Sequence, residues 1–472
     1  MKGELFMMGP PGFEPGTSAM SRRRHNHLDH EPSVTAEEIA FIEFKRIVIK
    51  QQVWKSYGAF ILTQIESATN GIVTGEMKRV AMEEEIEPEL LRSDIASGRT
   101  VIMTRKGGKR GVCGIGKGLR TKVNVNIGTS TASRETDLEV EKARVAEAYS
   151  ADTITDLSMG GDLEEIRRQI LASTTIPLTT VPIYQCVAEN GWTIRDRDIL
   201  SRIEEDVRSG VSSIVIHTIT RELVLKLKKS RRILTMVSKG GSLTSLCMLK
   251  NNRDNPFLEH FDEILEILRE RDVVLSLGNS LRSGCVHDMP DCLQREELEL
   301  NARLAEEANK AGVQVIIEGM GGHVAPALIP ESVRYHKEVA DRPLFVAGPL
   351  PTDVAVGYDH IAASIGAALA SGAGADYLCA VTPAEHICLP GVEDVREGLT
   401  AFRIAAHIGD SIKYMPSDRD RRLAVKRSML DWRGQLSHAI EPRRPEEMRR
   451  ETGGICSMCG EYCAILRLKE YL

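Results

Sequence analysis

Three cysteines bunched near the end of the chain, Cys456-Ser457-Met458-Cys459-Gly460-Glu461-Tyr462-Cys463, have the residue type and spacing for metal chemistry. Thiolates are soft donors and select zinc or iron–sulfur. Gaps of two and three residues fit three corners of a 4Fe-4S cubane and leave one iron without a protein ligand. A cluster held by four cysteines mainly transfers electrons. One with an open iron can bind the amino and carboxylate groups of S-adenosylmethionine and cleave it reductively. A zinc knuckle would need a fourth ligand, and the nearest histidine, His438, lies before Pro442. The other cysteines, at 113, 186, 247, 285, 292, 379 and 388, are dispersed. Several sit in apolar strings such as Tyr377-Leu378-Cys379-Ala380-Val381 and read as small core residues.

A second set of polar residues recurs along the chain in a regular setting. Short β-branched runs cover 122–128, 153–158, 178–184, 212–218, 233–238, 273–278, 313–319, 344–349 and 377–383, with amphipathic stretches such as 133–150 and 297–312 between them. Serial βα units joined this way make parallel sheets with right-handed crossovers. So many in series predict an α/β fold, a closed (β/α)8 TIM barrel, with a doubly wound open sheet as the alternative. Nine runs compete for eight places, so one is expected outside the barrel. Asn126, Asp156, Tyr184, His217, Ser238, Asn279, Glu318 and His386 fall at or just past the ends of these units. In such a barrel the active site is built at that face. For Asp156 and Ser238, capping a following helix competes with a role in the site.

The flanks and the composition bound the rest. Residues 1–34 are rich in Pro, Gly, Arg and His without periodicity and read as a disordered tail or a start assigned too early, so His25, His27 and His30 are not taken as ligands. Thr63-Gln64-Ile65-Glu66 is a capping box, and Thr74 opens a second helix. Residues 99–121 are basic and glycine-rich and read as a linker or a loop closing over the barrel rather than a phosphate loop. Expected domains are 1–62 as lead-in, 63–121 as helical region and loop, 122–400 as barrel, and 401–472 as C-terminal helices and cysteine tail. The chain has 472 residues, 42% hydrophobic, with 61 basic and 67 acidic residues well mixed. This balance argues against nucleic-acid and membrane partners. No apolar run reaches the roughly 20 residues of a membrane helix and no signal peptide is evident, so a cytoplasmic protein is expected.

Strings in one order from Thr63 to the C-terminus sharpen this picture. They include KVNVNIGTS (122–130), TDLSMGGD (155–162), PLTTVPIYQ (177–185), VSKGGS (237–242), LSLGNSLRSG (275–284), VIIEGMGGHV (315–324), AGPLPTDVAVGYDHIAASIGAA (347–368), VTPAEHICLP (381–390) and CSMCGEYC (456–463). The chain resembles the phosphomethylpyrimidine synthase family of thiamin biosynthesis. The resemblance implies a radical S-adenosylmethionine lyase acting on 5-aminoimidazole ribotide, with a 4Fe-4S cluster on Cys456, Cys459 and Cys463. It implies substrate contacts from Asn126, Thr155, Tyr184, His217, Ser238, Lys239, Gly240, Asn279, Arg282, Glu318 and Phe345, and zinc on His323 and His386. No protein nucleophile is implied. An electron-donor protein is implied, as is a homodimer in which the tail of one subunit serves its partner's barrel.

The chain departs from the family pattern at several of these positions. Thr155 and Phe345 stand where the family has Met and Tyr, Lys239 replaces Arg in S-R-G, and Asn279 and Ser280 replace Asp and Gly in D-G-L-R. The Glu318–His323 string is one residue longer, and the gap before Cys463 is one shorter. These changes keep two alternatives in view: 5-hydroxybenzimidazole synthase, which uses the same substrate, and a non-catalytic iron–sulfur or zinc protein.

Overall fold

The computed structural model describes residues 62–105, 111–288, 291–319, 321–452 and 456–468. The expectations for 1–34 and the middle of the basic loop lie outside them. Three short helices, Gln64–Thr69, Gly75–Glu83 and Pro88–Ala96, open the described chain. Thr63 caps the first through a capping box with Glu66, and Thr74 accepts a hydrogen bond from the Met77 amide at 3.1 Å in the second.

An antiparallel pair follows, β1 (Thr100–Thr104) and β2 (Val112–Gly116), then eight parallel strands. These are β3 (Lys122–Ile127), β4 (Thr153–Asp156), β5 (Leu178–Thr180), β6 (Ser213–Ile216), β7 (Val274–Leu277), β8 (Val315–Glu318), β9 (Leu344–Ala347) and β10 (Tyr377–Cys379). They close as β10-β3-β4-β5-β6-β7-β8-β9, an eight-stranded barrel. Side chains alternate along a strand. One set, including Val123, Val125, Ile154, Leu178, Ile214, Leu275, Leu277, Ile317 and Val346, packs in the large core shared with the surrounding helices. The other set lines the interior and is mixed: Val274, Ile316, Phe345 and Tyr377 cluster at its N-terminal end, while Asn124, Thr153, Thr155, Thr179, Ser213, Ser276 and Cys379 are buried polar or small residues. Branched apolar residues usually fill a barrel of this kind, so the polar share of this interior is suited to hold polar matter.

Three expectations are corrected. The run 233–238 is not a strand: the Asp288 carboxylate accepts the Ile233 and Leu234 amides at 2.7 and 3.0 Å and holds the segment as a loop. The run 178–184 stops at Thr180, because Pro182 has no N–H for the ladder and instead starts the helix Pro182–Asn190. Tyr184 therefore stands on a helix. The 99–121 segment is not a lid on the active face, since β1 and β2 form a hairpin at the opposite end. Val101, Met103, Cys113 and Ile115 pack with Val274, Ile316, Tyr377 and Phe345, and the Ile102 amide donates to Gln314 Oε1 at 2.7 Å. Each such apolar side chain stabilises by ~1.5–3 kcal/mol on burial, and together they seal the N-terminal mouth of the barrel.

After the barrel come the helices Val392–Tyr414, Asp418–Ser428 and Trp432–His438. Among the described residues no helix is long and apolar enough to cross a membrane.

Candidate active site

β6 leads directly into His217, whose ring is buried against two glycines. A Cβ on Gly278 would lie 2.9 Å from its Cδ2, and one on Gly240 would overlap Cε1, so only glycine allows this approach. Nε2 is 3.2 Å from Ser238 Oγ, while Nδ1 is buried without a protein partner. A buried polar atom left without a bond marks a place for a ligand group. Burial, seconded by the Arg282 charge, pushes the ring's pKa down to about 3, so the imidazole is neutral.

Ser238 caps the helix Lys239–Asn251, accepting the Gly241 amide at 3.1 Å. Helix N-termini carry partial positive charge and favour anions. The next residue, Lys239, has its Nζ 5.2 Å from the centre of the Tyr184 ring. Burial lowers the Lys239 pKa, against the nearby Glu385 charge. Tyr184 is pushed up to about 12 by burial, against Arg282 and a hydrogen bond from the Gly240 amide. That amide is therefore turned toward Tyr184.

Arg282 follows β7, with Nη1 donating to the Asn279 carbonyl at 3.1 Å. Its charge is felt by Tyr184, His217, Glu318 and Glu385, which sets it among them. Glu318 ends β8 and accepts from Ser276 Oγ at 3.0 Å. Burial raises its pKa, against hydrogen bonds from Ser276 and the Asn279 amide and the Arg282 charge. Phe345 pairs with Glu318 in strand register and stacks on Tyr377 at 4.1 Å, so it forms apolar floor beside the carboxylate. On the opposite strands, Asn124 donates to Asn126 Oδ1 at 2.8 Å and accepts from the Thr153 and Thr155 hydroxyls at 2.9 and 3.0 Å. This network fixes the Asn126 amide. Asp156 is occupied locally, accepting the Ser158 amide at 3.0 Å.

His323 and His386 meet with their Nε2 atoms 3.4 Å apart. Asp353 Oδ1 lies 2.6 Å from His323 Nδ1, and Asp359 Oδ1 lies 3.3 Å from His386 Nδ1. An ionised carboxylate only accepts, so each Nδ1 donates to its carboxylate and each ring turns its Nε2 toward the other, the atom by which an imidazole binds a metal. The 3.4 Å separation would let both Nε2 atoms reach one metal ion. His386 is held at φ +64°, a left-handed conformation that β-carbon sterics disfavour, which fits a ring pinned for a task. Among the described residues no three His, Cys, Asp or Glu side chains converge into a closed cage.

The cysteine tail is shaped by local bonds. The Gly460 amide donates to the Cys456 carbonyl at 3.1 Å, Tyr462 to Cys459 at 3.0 Å and Arg467 to Cys463 at 2.9 Å. Cys459 is exposed and Cys456 and Cys463 are half-buried, unlike Cys113, Cys186, Cys247 and Cys379 in the core. Three accessible thiols of soft donor character suit a cluster, but among the described residues the structure gathers neither these three cysteines nor any other three His, Cys, Asp or Glu side chains into a metal site.

Sequence reasoning missed the carboxylates behind these groups. Asp353 joins His323 to the Val286 amide, accepted at 3.1 Å. The Arg282 loop and the His323 loop are also joined directly, by a bridge between Ser283 and Gly322 and a bond from the His323 amide to the Ser283 carbonyl at 3.0 Å. The clue available was position, since Asp353 and Asp359 both lie in the string that carried the resemblance.

A family model described as "Radical SAM ThiC family" matches residues 63–470. The chain is 44% identical over 429 residues to "Phosphomethylpyrimidine synthase" of Dehalococcoides mccartyi, covering 87% of this chain and 98% of that one. The protein of the same name in Moorella thermoacetica is 44% identical (87% and 98% covered), and that of Ignicoccus hospitalis 42% (87% and 97% covered).

Proposed function

The chain belongs to the radical SAM ThiC family, and from that premise we propose that it converts 5-aminoimidazole ribotide to 4-amino-5-hydroxymethyl-2-methylpyrimidine phosphate, the pyrimidine of thiamin. The observation that carries the reading is the barrel mouth. Neutral His217 with an unpartnered Nδ1, the start of the helix Lys239–Asn251, Arg282 and half-buried Glu318 all lie there. A phosphoribosyl ligand needs these types: cations and a helix N-terminus for phosphate, and neutral or acceptor groups for hydroxyls and ring nitrogens.

Arg282 and Lys239 hold the phosphate charge, with Ser238 fixing the helix start. Asn126 and Glu318 bind the amino group and ring nitrogens of the imidazole, and Ser276 pre-orients Glu318 by donating to its carboxylate. Tyr184 covers the ligand and excludes water, and its raised pKa keeps it a neutral donor. Cys456, Cys459 and Cys463 would hold the cluster, which would supply the electron for reductive cleavage of S-adenosylmethionine. No protein nucleophile takes part. Zinc on His323 and His386 belongs to the proposal, supported by the facing Nε2 atoms and the two carboxylates behind them. The same proposal includes an electron-donor protein, a cytoplasmic setting and a homodimer, which a fully active monomer in size-exclusion chromatography would remove.

The test is anaerobic reconstitution with iron, sulfide, reductant, S-adenosylmethionine and aminoimidazole ribotide, followed by product mass. The pyrimidine phosphate is expected. Hydroxybenzimidazole would overturn the product assignment, and absence of deoxyadenosine from fully loaded protein would overturn the enzyme.

A further inference from the structure

Glu297 lies outside the site just described, in the middle of the helix Cys292–Lys310, yet it is almost wholly buried. Its two carboxyl oxygens accept the consecutive amides of Ser280 and Leu281 at 2.8 and 2.9 Å. One turn further along the same face, Asn301 Nδ2 donates to the Gly278 carbonyl at 3.3 Å, and its Oδ1 accepts from Thr218, the residue after His217. Residues i and i+4 of a helix lie one above the other. The two side chains therefore grip the chain on both sides of Asn279, just ahead of Arg282.

Among the described residues no lysine or arginine hydrogen-bonds to Glu297; its bonds are to the two backbone amides, and Arg232 acts on it only through its charge. Burying an acid at this point is costly unless its acceptors are used fully. The bidentate grip dictates where two successive peptide planes lie, and so where the Arg282 side chain departs. Burial raises the Glu297 pKa to about 7, against these amides.

We propose that Glu297, seconded by Asn301, is a positioning residue that sets Arg282 and Asn279 for the substrate without touching it. This rests on the proposed function for the role of Arg282. The geometry is rigid from the far side too, because the Ser283 carbonyl is tied to the His323 amide at 3.0 Å. Glu297 fixes one end of the Asn279–Ser283 turn and the bridge fixes the other.

Glu297→Gln keeps the volume but exchanges one acceptor for a donor that faces an amide. Its expected effect is a rise of about tenfold or more in KM for aminoimidazole ribotide with a smaller fall in kcat. Exchange of the backbone amides in 278–284, followed by mass spectrometry on the substrate-free protein, should quicken by a similar factor. Asn301→Ser tests the second grip and should raise KM less. If Glu297→Gln does not fold, Asn301→Ser carries the test. A variant with lowered melting temperature but unchanged KM, or unchanged exchange in 278–284, overturns the proposal. A wild-type protein that does not turn over the substrate counts against the proposed function alone, because the exchange experiment still decides whether the grip exists.

Discussion

His217 should make the fold lose stability on acidification by an amount that can be isolated. An unconstrained histidine titrates at about 6.5, whereas burial holds His217 down at about 3. Between those values the unfolded chain binds a proton that the folded chain refuses. Stability contributed by the neutral ring is thus complete above about pH 6.5 and is lost as pH falls toward 3. Integrating the difference from pH 7 to pH 5 gives a loss of about 2 kcal/mol. Other groups act over the same window. His336, pushed down to about 4 by burial, has the same sign. Glu297, pushed up to about 7, binds its proton more tightly when folded and works the opposite way by a similar amount. The raw wild-type profile therefore mixes the terms, but the difference between wild type and His217→Gln does not. Urea unfolding of both proteins at pH 7 and pH 5, without substrate, measures it. The variant should lose about 2 kcal/mol less than wild type over that interval. Equal losses would refute a neutral, buried His217.

Three further outcomes follow from contacts already described. Gly240→Ala places a methyl group on the His217 ring; overpacking of this kind costs about 1–3 kcal/mol, and substrate binding measured by calorimetry should weaken strongly while cluster content is unchanged. Asp353→Ala removes the acceptor behind His323 Nδ1, and zinc affinity measured by chelator competition should fall about 10–100-fold; unchanged affinity would exclude a metal role for the histidine pair. Cys459→Ser alters an exposed side chain, so the melting temperature should hold while iron content and visible absorbance collapse.

The βα rhythm was readable because each barrel strand is a short branched run with its own helix, a pattern set by local periodicity. Elements decided by distant partners were not. The 233–238 run has strand composition, but two amides taken by Asp288 hold it as a loop. The hairpin β1–β2 was hidden by the basic, glycine-rich residues that interrupt it, and its place at the barrel's closed end depends on Gln314 and Ile316. Within the site, strand-end residues such as Asn126, His217 and Glu318 could be picked out by position. The histidine pair could not, since His323 and His386 lie 63 positions apart and only the resemblance joined them. Glu297 did leave a trace: with Asn301 it interrupts the apolar face formed by Leu293, Leu298, Leu304 and Ala308. A charged residue on such a face has to be compensated, and here the compensation is backbone.

The bridge between Ser283 and Gly322 bears on how this chain has been free to drift. The extra residue of the Glu318–His323 string falls between the end of β8 and that bridge. A lengthened connection would ordinarily displace everything after it. Here Gly322 and His323 are stitched to the neighbouring loop on one side and to Leu350 on the other, so the place of the imidazole is set by these two bridges. Substitution of Ser283 or Gly322, the pair that holds the splice, should therefore move the imidazole more than a change of length ahead of it.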